Sequence, residues 1–377
     1  MGIVWRGEEG ISAKCNAENG DKDVILRKAG GMDGEMARLW EEIHEQPEVI
    51  RKLWNELPLR LEQRPAEGKD IFLFGTGASL SACMQAKFAF LKYRGVHGAA
   101  VAAFEAEYYK EILGRGSMAA VVSQSGESYE TKVIVNGLLE KGIPFWGITN
   151  NEDSFLGKNA RCCLPLMAGE ELGTATKTQT ASVMALYMMA AIGDEGAVKQ
   201  LEKLPETMEA TLQAADGYKQ ELADFLSDRK AIYLTGLDAH APTALQASLM
   251  LKEKVWLHAE GLSLAEFRHG PVEVIEEGIP IVLIGYGKEK MDTLLMHADF
   301  LTKVCHGDVV LVTNCQENRI KGYRNFPYVW EGDEALSHIC ATLPFQLLAE
   351  RMAAQRGYDI DGFKYFCPMA GAIPSRS

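Results

Sequence analysis

The segment Ser123-Gln-Ser-Gly-Glu-Ser128 gathers hydroxyl and amide side chains around a glycine, directly after the apolar run Ala119 to Val122. An apolar run without alternation reads as a strand covered on both faces, and Lys132 to Glu140 reads as a helix. The polar turn would then lie at a helix N-terminus, where backbone N–H groups lack intrahelical partners and the helix dipole favours negative charge. Ser123, Gln124, Ser125 and Ser128 are therefore candidates to hold an anion; a serine cap on the helix is the alternative. Gly75-Thr-Gly-Ala-Ser79 and Gly173-Thr-Ala-Thr-Lys-Thr178 present similar side chains, among them Ser79, Thr174 and Thr176. The latter segment reads equally well as an N-capped helix start. No lysine-bearing P-loop and no Gly-x-Gly-x-x-Gly accompanies them, so a phosphate monoester is expected rather than a nucleotide.

A second constellation lies between Leu249 and Pro271, where Glu253, Glu260, Glu266 and His269 are concentrated. A carboxylate in a partly apolar pocket beside a histidine has what proton transfer at a sugar carbon needs: one group to move the carbon-bound proton, another to open the ring. Each carboxylate could instead serve a surface salt bridge, and His269, before Gly-Pro, could cap or be exposed. His240 could contact a ligand or be structural. No ligand spacing supports a metal at His258 and His269.

These residues need elements to carry them. Met36, Leu39, Trp40 and Ile43 form a helical stripe, and Pro47 starts a second helix through Trp54, so two helices are expected before the first strand. Strand and helix patterns then alternate: Ile71 to Phe74, Ala82 to Tyr93, Ala99 to Ala103, Phe104 to Ile112, Ala119 to Val122, Lys132 to Glu140, Phe145 to Thr149. Short buried strands between helices imply a parallel sheet with helices on both faces.

The pattern recurs after residue 230. Ile71-Phe-Leu-Phe-Gly-Thr-Gly-Ala-Ser79 aligns without a gap on Ile232-Tyr-Leu-Thr-Gly-Leu-Asp-Ala-His240, and Phe145 to Asn150 on Val309 to Asn314. Correspondences in the same order imply a duplication. The expected organisation is an N-terminal extension over 1–35, a first α/β domain with its preceding helices over 36–215, and a second with the C-terminal tail over 216–377. Helical sequence from about Gln179 to Phe225 would join them. Ligands bind at the carboxyl ends of strands in open α/β sheets, where Ser79, Ser123 and Asp238 would lie, so loops of both repeats should form the pocket.

At 377 residues the chain can form two domains, each with its own core. No apolar run approaches the roughly 18 residues that span a bilayer. The N-terminus lacks the pattern of a signal peptide, and a cytoplasmic protein is expected. The eight cysteines form no Cys-x-x-Cys pair, which argues for reduced core residues. A net charge of -13 opposes nucleic-acid binding and means that an anion site must work by local geometry.

With these residues in view, the chain resembles the sugar isomerase (SIS) family, specifically the two-SIS-domain isomerase portion of glutamine–fructose-6-phosphate aminotransferase and its stand-alone relatives. The likeness runs from about residue 36 to 366. It is carried by Ser123 to Ser128, Ile148-Thr-Asn150 with Ser154, Leu251-Lys-Glu253 leading to His258-Ala-Glu260, Glu266-Phe-Arg-His-Gly-Pro271, Pro344 to Ala349, and Gly357 to Asp361. It implies tandem SIS domains, each a flavodoxin-like three-layer α/β/α fold with a mainly parallel sheet. It implies that Ser123, Gln124, Ser125 and Ser128, helped by Ser79, hold a sugar 6-phosphate. Glu253 falls on the family's proton-shuttling glutamate and His269 on its ring-opening histidine, commonly supplied by a partner subunit, so a homodimer is implied.

The departures matter as well. No glutaminase domain with a leading cysteine precedes the first repeat, which argues against the synthase reaction. The family's lysines one turn before the glutamate and in the tail are replaced by Met250 and Pro368, although Lys364 could reach the pocket. Relatives lacking those lysines include fructosamine-6-phosphate deglycases, and others deaminate glucosamine 6-phosphate. The expected activity is deglycation of a fructosamine 6-phosphate without metal or organic cofactor, with a deaminase or ketose–aldose isomerase as the alternative. A non-catalytic phosphosugar sensor is the rival of a different class.

Overall fold

The unalternating apolar runs become the central strands of two parallel sheets. The computed structural model describes residues 38–61, 68–109, 111–113 and 116–361, so the extension expected over 1–35, Lys364 and Pro368 lie outside the described residues. In chain order the first half comprises α1 (Arg38–Leu61), β1 (Asp70–Gly75), α2 (Ala78–Arg94), β2 (His97–Ala102), α3 (Ala106–Tyr109), β3 (Ser117–Val122), α4 (Tyr129–Glu140), β4 (Trp146–Thr149), α5 (Phe155–Asn159) and β5 (Cys162–Pro165). Helices α6 (Lys177–Ala191), α7 (Glu195–Glu202) and α8 (Leu204–Leu226) lead to the second half. This comprises β6 (Ala231–Gly236), α9 (Ala241–Met250), β7 (His258–Ser263), α10 (Leu264–Phe267), β8 (Pro280–Gly285), α11 (Lys288–Lys303), β9 (Asp308–Thr313) and α12 (His338–Gln355).

The sheets have strand orders β2-β1-β3-β4-β5 and β7-β6-β8-β9, with every pairing parallel. The four strands of the second repeat the order of the first four strands of the first, as the internal alignment requires. This is the flavodoxin-like order, whose topological switch point falls between β1 and β3. The expected boundary at 215/216 falls inside α8, which packs on both α1 and α12.

One core cluster takes residues from both repeats, from Leu39 and Leu73 through Tyr187 to Leu234 and Phe345. Buried amides cross it. Gln85 accepts from Gln179 at 2.8 Å and donates to Thr342 at 3.3 Å. Gln46 accepts from Thr180 at 2.6 Å and donates to Gln346 at 2.5 Å. Buried hydrogen-bonded amides of this kind favour a single arrangement, because breaking a bond would leave a buried polar group unsatisfied.

Two helices were expected before β1, yet the structure has one, running through Pro47. Proline removes the N–H that would bond the carbonyl of Ile43. Gln46 Nε2 bonds that carbonyl at 2.9 Å instead, so the helix continues. The helix expected over Phe104 to Ile112 is reduced to a 3-10 turn and the short α3; Phe104 and Tyr108 are largely exposed, so a longer helix would have little to bury there.

Candidate active site

The site assembles at the carboxyl edge of the first sheet. β1 and β3 are adjacent, so Ser79, in the first turn of α2, and the Ser123 to Ser128 loop face the switch point together. A Cβ on Gly75 would come within 2.6 Å of the Ser79 carbonyl carbon, so glycine lets the helix start fold back on its strand. Gly236 stands in the same relation to His240 in the second repeat. No side chain caps the N-terminus of α2, which leaves its dipole end open to an anion.

In the β3 loop, Ser123 Oγ accepts from Gly126 N and Ser125 Oγ from Glu127 N, each at 3.2 Å. Each hydroxyl thereby uses acceptor capacity on the backbone and keeps its O–H to donate. Gln124 is exposed, and Ser128 caps α4 by accepting from Thr131 N at 3.3 Å. For Ser128, then, the cap foreseen as the alternative is made. Glycine at 126 is required twice over: φ is 68°, and a Cβ would lie 2.0 Å from Ser154 Oγ.

Asn150, at the end of β4, ties this loop to the next. Its N–H bonds Gln124 O at 3.0 Å, its Nδ2 bonds Gly169 O at 2.7 Å, and its Oδ1 accepts from Ala168 N at 3.0 Å. Thr149 Oγ1 adds a bond to Gln124 O at 3.1 Å. The equivalent Asn314 latches loops in the second repeat, accepting from Gly287 N at 2.8 Å and donating to Trp330 O at 3.0 Å. That recurrence was visible in the alignment and marks Asn150 as a loop fastener that residue-type reasoning passed over.

The loop after β5 then reaches the second repeat. Thr174 Oγ1 donates to Glu253 Oε2 at 2.9 Å. Glu253 belongs to a π-helical turn, Leu251–Val255, that continues α9, a distortion frequent at functional sites. Burial pushes its carboxyl above the ordinary value, while the Thr174 hydrogen bond and the Lys254 charge pull it back. A carboxylate so placed is a better base near neutral pH than an exposed one. Thr176 behaves differently. Its N–H and hydroxyl bond Glu171 Oε1 at 2.9 and 3.1 Å, and Thr178 N joins at 3.1 Å. Glu171 thus caps the start of α6, so Thr176 follows the helix-start alternative. A capping carboxylate just before Thr176 was the signal for this.

Glu253, Glu260, Glu266 and His269, close in sequence, are spread along β7 and beyond. Glu253 precedes the strand and His269 follows α10 in an exposed turn. The whole of β7, six residues at about 3.3 Å each, therefore runs between them along the chain. Glu260 and Glu266 are exposed. His240 is fully buried among Thr243, Tyr328, Ser337 and His338, and burial lowers its pKa well below the ordinary value, so its role is structural. Among the described residues no group of three or more His, Cys, Asp and Glu is placed to hold a metal, and no helix is long and apolar enough to cross a membrane.

The SIS domain matches this chain twice, over residues 66–192 and 225–356, one match on each sheet. The chain belongs to the SIS domain family. Glutamine–fructose-6-phosphate aminotransferase [isomerizing] of Methanothermobacter thermautotrophicus is similar to it at 29% identity over 359 residues, covering 94% of this chain and 60% of the relative. The SIS chain therefore spans about three-fifths of that relative's length. The C-terminal domain of glucosamine-fructose-6-phosphate aminotransferase from Francisella tularensis superposes with TM-score 0.75 at 24% identity, over 87% of this chain and 99% of that one. Glucosamine-6-phosphate deaminase from Thermotoga maritima superposes with TM-score 0.67 at 19% identity, over 86% and 97%. At these identities both solved structures speak for the tandem SIS fold.

Proposed function

We propose that the chain is a phosphosugar enzyme that moves a proton between C1 and C2 of an amino-sugar 6-phosphate, and that it acts as a fructosamine-6-phosphate deglycase. The observation that carries the reading is the bond from Thr174 to Glu253, which joins a basic carboxylate of the second repeat to the loop system that includes Ser123 to Ser128. The similarity to a fructose-6-phosphate aminotransferase supports the substrate class. Ser79, Ser123, Gln124 and Ser125 would bind the 6-phosphate, supplying binding energy remote from the reacting carbon.

In this reading His269 of a second subunit assists ring opening, since Glu253 and the His269 of its own chain lie at opposite ends of β7. Glu253 takes a proton from C1 of the open-chain ketose, giving an enaminol, and returns it to C2. The resulting C1 imine adds water and expels the amine, leaving glucose 6-phosphate. Proton transfer by a placed group of this kind contributes roughly 10²- to 10⁴-fold.

The test is to incubate the purified protein with fructoselysine 6-phosphate and, separately, glucosamine 6-phosphate, measuring glucose 6-phosphate and ammonia. Glucose 6-phosphate from the first substrate is expected. Ammonia from the second alone would assign a deaminase instead, and turnover of neither would contradict both.

A further inference from the structure

A lysine is rarely buried unless its charge is answered, and Lys254 is 1% exposed. It follows Glu253 in the π-helical turn, and the two side chains engage adjacent residues of one loop. Thr174 donates to Glu253, while a Cβ at Gly173 would stand 2.8 Å from Lys254 Nζ, so the ammonium rests where any other residue's side chain would begin. The φ of 81° at Gly173 favours glycine independently. Nζ also donates to Ile360 O at 2.8 Å.

The segment containing Ile360 is laid along the same turn by other contacts. Arg356 Nη1 bonds Val255 O at 3.0 Å, Trp256 stacks on Tyr358 with centroids 4.0 Å apart, and Asp361 Oδ1 accepts from Leu39 N at 3.0 Å. The charged groups facing Lys254 are Glu253 of its own turn, Asp359 and Asp361 of this segment, and Glu42 of α1. Glu253 in turn faces Lys254. Met250, where the family resemblance leads one to expect a lysine, is fully buried and apolar.

We infer that Lys254 is a positioning residue for Glu253: its ammonium holds the Gly173–Thr174 turn and the Ile360 carbonyl around the carboxylate and supplies the positive charge beside it. The inference rests on the assignment of Glu253 as the proton-transferring group. Burial of Glu253 favours its protonated form and the neighbouring cation opposes this, so losing the cation leaves less of the base ionised at a given pH.

The experiment compares wild type, K254M, K254R, G173A and E253Q. The Glu253 carboxyl is titrated by ¹³C NMR, its resonance assigned by its loss in E253Q, beside the pH profile of kcat and hydrogen exchange across residues 356–361. In K254M the titration and the acid limb of kcat should move to higher pH. At neutral pH kcat should fall about tenfold or more with KM changed much less, and exchange across 356–361 should quicken. K254R should restore part of the titration. G173A keeps the lysine but occupies its resting place, so it should move the titration the same way; it decides the matter if K254M does not fold.

An unmoved titration in folded K254M or G173A, with kcat within about twofold of wild type, would overturn the inference. If E253Q turns over like wild type, the proton-transfer reading fails separately, and the titration still judges the placement of Lys254.

Discussion

A carboxylate that takes a proton from carbon must be ionised and must also be a stronger base than an exposed carboxylate, and burial improves the second at the expense of the first. At Glu253 the Thr174 hydroxyl moderates that conflict by bonding the charged form. Replacing Thr174 by Val removes a bond that lowers the Glu253 pKa, so the pKa rises further. The base is active only when ionised, so the acid limb of the kcat profile should move to higher pH; an unchanged limb would mean that the Thr174 bond does not act on the catalytic ionisation. Glu253 could be picked out in the sequence as a candidate, by its residue type and its neighbours. Lys254 was not, because its burial depends on Gly173 and Ile360, residues remote in sequence that only the fold brings to it. Thr176 shows the reverse: a hydroxyl that looked available is taken by Glu171.

Secondary-structure elements act here by fixing the loops at the carboxyl edge of the first sheet. Gly126 sits where the β3 loop crosses Ser154 and Thr149, so G126A faces both a positive φ and a 2.0 Å contact. Relieving them should cost about 1–3 kcal/mol or displace the loop. We expect a lowered melting temperature together with a KM for the phosphorylated substrate raised more than kcat is lowered; a variant indistinguishable in both would remove this loop from the phosphate site. The strand and repeat pattern was readable because central strands such as β1, β3 and β8 are apolar runs, and because Gly75 and Gly236 recur for the same backbone reason. Helix α1 was misread as two helices because a proline favours the first turn of a new helix, and nothing local announces that Gln46 will bond the orphaned Ile43 carbonyl.

The whole molecule joins the two repeats through a common core and a lattice of buried amides, which brings a carboxylate of the second repeat against a loop of the first. Along the chain, the whole of β7 lies between Glu253 and its own His269. The proposed mechanism has one site take the two residues from two copies of the chain. Inactive E253Q and H269A chains, mixed after co-unfolding and refolding, should then recover activity, to about a quarter of wild type for random pairing into two-fold dimers. No recovery from a mixture shown to contain mixed dimers would mean that no site takes the two residues from different chains. Pairing of subunits was suggested only by the family resemblance, because one chain's sequence carries no record of which surface meets a copy of itself.

The most direct test is to compare wild type and E253Q for turnover of fructoselysine 6-phosphate and, by calorimetry, for binding of the same sugar phosphate. E253Q should bind it with near wild-type affinity and form no detectable glucose 6-phosphate. Turnover by E253Q within about tenfold of wild type would contradict this, because loss of a proton-transferring group should cost roughly 10²-fold or more.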